Sequence, residues 1–214
     1  MKSITKQKPL EEIEQQLGGL DRVYIVGCGT CATMTRTGGR EEVLDMKERL
    51  QGRGRMVTGW TVLPVACDQM TEEALKENNE AIRNASGVLV MSCALGVCRV
   101  GSYVNKPVIP ALDTMFIGLE DSPGDFHEVC AQCGHCVLGW TAGICPITAC
   151  NKHLLNGPCG GTNNGKCEVD KAKDCAWTLI YQRLKEQGRL DLMRKYNPPR
   201  NPQVMPRPRG TRIM

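Results

Sequence analysis

The chain has 214 residues, a formal net charge of +4 and only 4% aromatic residues. This mild positive charge indicates neither a nucleic-acid partner nor a membrane partner, and the longest apolar run is too short for a transmembrane helix. Thirteen cysteines in a chain with so few large side chains predict a protein held together by metals. Residues 1–16 are charged throughout and lack the apolar part of a secretory signal, so we expect a cytoplasmic protein with reduced thiols.

Residues 1–20 are predicted to contribute an N-terminal helix. The segment PLEEIEQQL begins with proline at the first turn, and Gly18–Gly19 ends it. Ile13 and Leu17 lie four residues apart and form one apolar edge, which we expect to pack on the next unit.

Residues 21–118 alternate between short apolar runs and segments of helical periodicity. The predicted strands are RVYIVGC, MVTGWTVLPVAC, GVLVMSC and KPVIPAL, and the predicted helices are TGGREEVLDMKERLQG and TEEALKENNEAIRNAS. This β-α-β-α-β order predicts an α/β domain with a small doubly wound parallel sheet, of the Rossmann or flavodoxin-like type.

Three of these predicted strands end in a cysteine: Cys28, Cys67 and Cys93. Carboxyl ends of parallel strands lie along one edge of a sheet, where such folds bind their ligands. Cys31 follows Cys28 by three residues, so four thiols converge and predict a [4Fe–4S] site. Cys98 is a reserve ligand. The alternative is that these cysteines are inert and pack as small hydrophobic residues.

The segment from Gly27 to Ala32 also matches G-x-G-x-x-A, the fingerprint of dinucleotide-binding turns. The acidic residue expected about twenty residues later does not follow the second strand at that distance. Thiolates at Cys28 and Cys31 would also repel a pyrophosphate. The match is therefore weak support for a nucleotide site.

Residues 113–125, with Pro123 and Gly124, are interpreted as a linker to a cysteine-rich module at residues 126–190. Glycines break this module into loops, and 46 of its residues hold eight cysteines. These eight are predicted metal ligands: Cys130, Cys133, Cys136, Cys145, Cys150, Cys159, Cys167 and Cys175.

The spacing of the first three of these cysteines favours iron over zinc. Cys130, Cys133 and Cys136 form a C-x2-C-x2-C run typical of [4Fe–4S] ferredoxins, and Cys145–Pro146 resembles the Cys–Pro that ends such runs. Structural zinc prefers two separated pairs of ligands. Eight thiols fit two clusters, or one cluster and one zinc, and the spacing does not pair them. His135 lies between two of these cysteines, but the thiols already suffice, so we do not expect it to bind the metal. Disulfides are the weakest alternative to metal binding.

The module ends with a predicted helix in DCAWTLIYQRLKEQGRL, whose apolar stripe we expect to pack against the loops. Residues 191–214 are a basic, proline-rich tail, expected to be extended. The tail is either disordered or laid along an acidic partner subunit.

The run from Cys133 to Trp177 resembles the cysteine-rich module of the small iron–sulfur subunit of two-subunit methylenetetrahydrofolate reductases. The segments LLNGPCGG and GKCEVD are its most specific part, and VGCGTCATMTRTGG and VLVMSC extend the resemblance over most of residues 20–190. The cysteine ligands predicted above match the motifs of this family, except that Cys98 matches none.

The resemblance implies an electron-transfer subunit without an active site of its own. Two to three [4Fe–4S] clusters, with zinc possible at one site, would relay electrons to the FMN of the catalytic subunit. The donor would be ferredoxin or an electron-bifurcating complex. The flavin would then reduce 5,10-methylenetetrahydrofolate to 5-methyltetrahydrofolate in the Wood–Ljungdahl pathway of acetogens. The alternative is a structural subunit whose metals only hold its docking surface in shape.

Overall fold

The structure is a computed structural model that describes residues 2–199. The chain divides between Phe126 and His127 into two compact units. The first unit holds a parallel sheet and helices, and the second unit consists mostly of loops with two helices. In the part of the chain described, no helix is long and apolar enough to cross a membrane.

The parallel sheet has four strands in the order β3-β2-β4-β5. Its strands are β2 (Arg22–Cys28), β3 (Met56–Leu63), β4 (Gly87–Met91) and β5 (Val108–Pro110). Every residue of β4 is buried, as expected for a central strand that is covered on both faces. The prediction of an α/β fold with a parallel sheet is therefore confirmed.

The strand order places the point of chain reversal between β2 and β4. The chain leaves β2 towards β3 on one side, and then returns across β2 to β4 and β5 on the other. Right-handed crossovers in opposite directions put their helices on opposite faces of the sheet. Ligands of such sheets bind where the order reverses, beyond the carboxyl ends of the strands.

Six helices belong to the first unit: α1 (Leu10–Leu17), α2 (Cys31–Met34), α3 (Arg40–Gly52), α4 (Thr71–Glu77), α5 (Asn79–Arg83) and α6 (Ala94–Tyr103). Helices α1 and α3 are as predicted, and the Ile13–Leu17 edge of α1 is buried. The second predicted helix is split between Glu77 and Asn79. Helix α6 was not predicted, because its glycines and small side chains give no clear amphipathic pattern.

A second, antiparallel sheet has the order β1-β6-β7, with β1 (Lys2–Gln7), β6 (Leu112–Ser122) and β7 (Asp125–Cys130). The interpretation of residues 113–125 as a linker is therefore wrong. Pro123 and Gly124 form the hairpin turn, where Gly124 has a φ of 89° that favours glycine. Strand β1 was also missed, because Ile4 is the one apolar residue among its six.

The second unit has helices α7 (Pro146–Ala149) and α8 (Ala176–Glu186), with 3₁₀ turns at Leu138–Trp140 and Leu190–Arg194. The buried side chains of its core cluster are Trp177, Ile180 and Leu184, all on the predicted apolar stripe of α8. This core is small, so the fold of the unit depends on its loops.

The beginning of the tail is bound to the second unit and is not extended throughout. Asn197 donates its backbone N–H to Asn156 Oδ1 at 2.7 Å, and the Asn156 amide donates to the Asn197 carbonyl at 2.9 Å. Residues 200–214, the greater part of the predicted tail, lie outside the described residues.

Candidate metal centres

Four thiols of the first unit lie at the carboxyl edge of the parallel sheet. Cys28 is the last residue of β2, Cys31 is the first residue of α2, and Cys93 directly precedes α6. Cys67 lies in the loop between β3 and α4. Burial raises the pKa of the Cys67 thiol, and the negative charges of Cys93, Cys28 and Cys31 raise it further. The secondary-structure elements place all four residues at the same edge of the sheet.

Two of the predicted strands end before their cysteine. Strand β3 ends at Leu63 and β4 at Met91, so Cys67 and Cys93 belong to the loops that follow. The apolar pattern runs on through these loops because they pack against the sheet edge: Ala66 is 1% exposed and Ser92 is fully buried.

Short backbone contacts draw these loops together around Cys28. The Gly29 amide donates to the Leu63 carbonyl at 2.7 Å, which ties the turn after β2 to the end of β3. A Cβ added at Gly96 of α6 would lie 2.9 Å from Ala66 Cβ, so only glycine lets the helix approach the loop that carries Cys67. The same close packing keeps Cys93 at the edge.

Hydrogen-bond donors surround the Cys28 sulfur. Burial raises the pKa of this thiol, but the Thr30 hydroxyl, at 3.2 Å, and the amides of Ala66, Thr30 and Ala32 lower it by more. The net effect is a pKa below the ordinary value, which favours the thiolate that metals bind. Sequence reasoning did not identify these donors, because three of the four are backbone amides.

Three buried threonines hold the segment after α2 in place. Thr5 of β1 lies 2.6 Å from Thr37 and 3.0 Å from Thr35, measured between hydroxyl oxygens. Thr35 also donates to the Cys31 carbonyl at 3.0 Å. The unpredicted strand β1 thus supports the backbone next to Cys31, and no local sequence signal pointed to this role.

The remaining sequence features of this edge carry less weight. Cys98 is exposed on α6, five residues or about one and a half turns beyond Cys93. The glycine-rich turn between Gly27 and Ala32 opens only the four-residue helix α2. A helix this short offers a weak dipole for a pyrophosphate, so the turn does not strengthen the nucleotide interpretation.

In the second unit, the first four cysteines line one cavity of about 340 Å³. They are Cys130, Cys133, Cys136 and Cys145. Apolar side chains of Val129, Val137 and Leu138 form much of the remaining wall, and His135 also lines it. The Gln132 amide donates to the Cys130 sulfur at 3.4 Å. We call these four cysteines the proximal set.

The last four cysteines line a separate cavity of only about 20 Å³. They are Cys150, Cys159, Cys167 and Cys175, here called the distal set. Burial raises the pKa of the Cys175 thiol, but hydrogen bonds from Thr178, Trp177 and Thr162 bring it below its ordinary value. Cys175 also directly precedes α8, where the positive end of the helix dipole favours a thiolate.

All thirteen cysteines are free thiols, and no disulfide is present among residues 2–199. In the same residues, no group of three or more His, Cys, Asp or Glu side chains is close enough to hold a metal ion. The charge coupling at Cys67 does not contradict this finding, because charges interact over several ångströms, whereas zinc needs each sulfur at about 2.3 Å. The cysteine-rich module is thus not confirmed as a metal site.

The chemistry of the donor groups nevertheless fits metals that prefer thiolates. Each set offers four cysteines, and tetrahedral sulfur ligation is typical of zinc and of iron–sulfur clusters. In a four-iron cluster each thiolate binds a different iron, so the sulfurs stand farther apart than they do around one zinc.

Residues 109–203 match the sequence model of a family described as methylene-tetrahydrofolate reductase C terminal. The match covers fewer than half of the 214 residues, and includes both cysteine sets of the second unit but not Cys28, Cys31, Cys67 or Cys93. Comparison with curated proteins and with solved structures gave no significant match. The matched region relates the chain to methylenetetrahydrofolate reductases.

Proposed function

We propose that this chain is the electron-carrying iron–sulfur subunit of a methylenetetrahydrofolate reductase. It would deliver electrons to the FMN of a catalytic partner, which reduces 5,10-methylenetetrahydrofolate to 5-methyltetrahydrofolate. The family match supports the association with this enzyme. The observation that carries the redox role is the placement of Cys28, Cys31, Cys67 and Cys93 at one edge of the parallel sheet.

In this proposal the four thiols of the sheet edge hold one cluster. A bound [4Fe–4S] cluster supplies one-electron transfer, at a potential set by its charge, its solvent exposure and hydrogen bonds to sulfur. The amide of Ala66 and the hydroxyl of Thr30 donate to Cys28 and partly neutralise its charge. Cys28 and Cys93 are buried, so the protein excludes water from one side of the site.

Exposed apolar side chains surround this edge and offer a contact surface for the catalytic subunit. Met34 follows Cys31, Val65 and Met70 flank Cys67, and Leu95 follows Cys93, with exposed fractions between 37% and 71%. Apolar side chains at the centre of an interface exclude water when the partner binds. A subunit bound here would bring its flavin close to the thiols.

The electron donor in this proposal is ferredoxin or an electron-bifurcating complex. Either donor needs a soluble, low-potential acceptor, and thiolate-ligated clusters reach such potentials. The flavin and folate pockets are assigned to the partner, as the resemblance to the small iron–sulfur subunit implies.

Anaerobic purification followed by reductive titration tests this function. The chain should contain iron and sulfide, and its absorption near 400 nm should decrease on reduction and recover when the flavin-containing catalytic subunit is added. Iron that is present but does not exchange electrons with the flavin would instead support a structural docking subunit. Absence of iron from the anaerobic protein would overturn both the cluster and the relay.

A further inference from the structure

We propose that an apolar groove in the first unit, next to the loop of Cys67, is the docking site for a basic segment of the catalytic subunit. The segment would place an apolar side chain in the groove and Lys or Arg side chains against its acidic rim. This inference rests on the proposed function, and it specifies where the partner binds and which chemistry its surface must carry.

The groove lies between the end of β3, the loop that follows and one face of α4, and has a volume of about 370 Å³. Its apolar lining consists of Leu63, Pro64, Val65, Met70 and Ala74. Leu63 is 1% exposed and belongs to the core, whereas Met70 is 71% exposed. The groove therefore leads from solvent down to the core. An apolar side chain inserted here would lose its contact with water, as the anchors of protein interfaces do.

Hydrogen bonds hold the walls of the groove in place. Thr71, the first residue of α4, is 2% exposed and donates its hydroxyl to the Ala66 carbonyl at 3.1 Å. The Met70 amide donates to Asp68 Oδ1 at 2.9 Å, and the Asp68 amide donates to the Val65 carbonyl at 3.1 Å. These bonds fix the loop against the helix. The groove is thus formed before a partner binds, which lowers the entropy that binding costs.

The charged residues that line the groove are all acidic. They are Asp68, Glu73 and Glu77, and none of them forms an ion pair within the described part of the chain. Glu73 and Glu77 are four residues apart, so they lie on the same face of α4. The nearest lysine of the helix, Lys76, binds Glu72 at 2.7 Å and lines a different cavity. The negative charge of the groove is therefore left for a partner to neutralise.

This charge selects among the molecules of the proposed reaction. Three carboxylates repel the phosphate of FMN and the carboxylates of a folate, so the groove is unsuited to either small molecule. A protein segment with cations beside an apolar residue would instead match both the charge and the lining. Val65 and Met70 also belong to the exposed apolar surface around the thiols. The groove is thus continuous with the face at which the flavin must approach, which favours the catalytic subunit as its occupant.

Photo-cross-linking of the complex tests the chemistry of the occupant. Replacing Met70 by p-benzoylphenylalanine in the full chain should give a cross-link to a segment of the catalytic subunit in which Lys or Arg flanks an apolar residue. Met56, an exposed methionine at the opposite end of β3, is the control position and should not give this product. A cross-link from position 70 to an acidic segment, or none in an assembled complex, would overturn the proposal. A cross-link to another copy of this chain would assign the groove to self-association and reject it as well.

Reversing one charge of the rim tests the electrostatic part. Glu77→Lys should slow association with the catalytic subunit by about five- to tenfold at low salt. This difference should disappear near 1 M salt, where charges are screened beyond about 3 Å. The matched control is Glu48→Lys, an exposed site on α3, which packs on the opposite face of the sheet from α4. The control should associate at the wild-type rate.

The binding experiment also separates this inference from the proposed function. Equal association rates for Glu77→Lys and the wild type would reject the groove as the docking site. If that wild type still contained iron and passed electrons to the flavin, the proposed function would stand. A wild-type chain that does not bind the catalytic subunit at all would overturn both.

Discussion

At the scale of single residues, the position of Cys67 decides whether the sheet edge can hold a cluster. Cys28 and Cys31 are fixed by β2 and α2, but Cys67 lies four residues beyond the end of β3. The amide of Ala66, the residue before Cys67, donates to the Cys28 sulfur, so this loop lies against Cys28. Partial burial and the charges of Cys93, Cys28 and Cys31 raise the pKa of the Cys67 thiol, in agreement with this placement.

Replacing Cys67 should therefore remove a ligand without disturbing the hydrophobic core. Cys67→Ser should lose most of the iron bound at the sheet edge, or about four irons per chain in anaerobic analysis. The matched control is Cys98→Ser, which changes an exposed thiol on α6 and should keep the wild-type iron content. Loss of iron from the Cys98 variant would make that residue a ligand.

Tyr24 is a second residue whose environment makes a measurable prediction. Its side chain is 1% exposed, and its hydroxyl has no hydrogen-bond partner among the described residues. Burial raises its pKa to about 12. The folded state thus resists ionisation of the Tyr24 phenol. The resulting contribution to the free energy of unfolding is fully present below pH 10 and is lost as the pH rises towards 12.

Tyr24→Phe should raise the free energy of unfolding by about 1 kcal/mol at neutral pH, because it removes an unsatisfied buried hydroxyl. Between pH 8 and pH 11 the wild type should lose about 1 kcal/mol more than the variant. Urea unfolding at both pH values measures the difference. The control is Tyr103→Phe. The Tyr103 hydroxyl accepts a hydrogen bond from Arg99, so its removal should not raise the free energy of unfolding. Equal pH dependence in Tyr24→Phe and the wild type would contradict this assignment.

At the scale of secondary-structure elements, helix α6 determines how closely two of the cysteine loops approach. A Cβ added at Gly96 would collide with Ser92 and Ala66, whereas a Cβ added at Gly101, later in the same helix, would meet no atom closer than 4.0 Å. The two glycines therefore have opposite roles. Gly96 permits contact with the loop of Cys67, and Gly101 only weakens the helix.

Gly96→Ala should destabilise the first unit by about 1–3 kcal/mol, because the added methyl overpacks a tight contact. It should also lower the iron content of the sheet-edge site by moving Cys67 away from Cys93. Gly101→Ala should stabilise the protein by up to about 1 kcal/mol through helix propensity and leave the iron unchanged. Thermal unfolding combined with iron analysis separates the two effects, and identical behaviour of the variants would refute the packing argument.

At the scale of the whole molecule, the two units differ in what stabilises them. The first unit has a continuous core that includes β2, β4 and buried residues from all six of its helices. Among the described residues, the hydrophobic core of the second unit is centred on three buried side chains, Trp177, Ile180 and Leu184. A core this small rarely supports a fold by itself, and metal binding then supplies part of the folding free energy.

Removal of all metals should therefore unfold the second unit and leave the first largely intact. Amide hydrogen exchange after anaerobic chelation and cluster destruction should show lost protection in α8 and retained protection in β2 and β4. The untreated protein is the reference. Protection of α8 that survives metal removal would show that the three-residue core and its hydrogen bonds suffice.

The fold of the first unit was largely readable from the sequence because its signals are local. Strand β4 is a continuous apolar run, and α3 repeats Val43, Met46 and Leu50 at helical spacing. Strand β1 was missed because it pairs with β6, which lies more than a hundred residues further along the chain. The β6–β7 hairpin was missed because the exposed residues of both strands give only a weak alternating pattern.

The sequence by itself determined the kind of chemistry available: reduced thiols in numbers and spacings that thiolate-binding metals use, and a parallel sheet to present some of them. Only the tertiary structure decided which thiols are neighbours. Cys67 joins Cys28 through the packing of a loop, and Cys145 and Cys150 separate across one short helix. Which cysteines lie close together depends on how the loops pack against the core, and the spacing of the cysteines along the chain does not predict that packing.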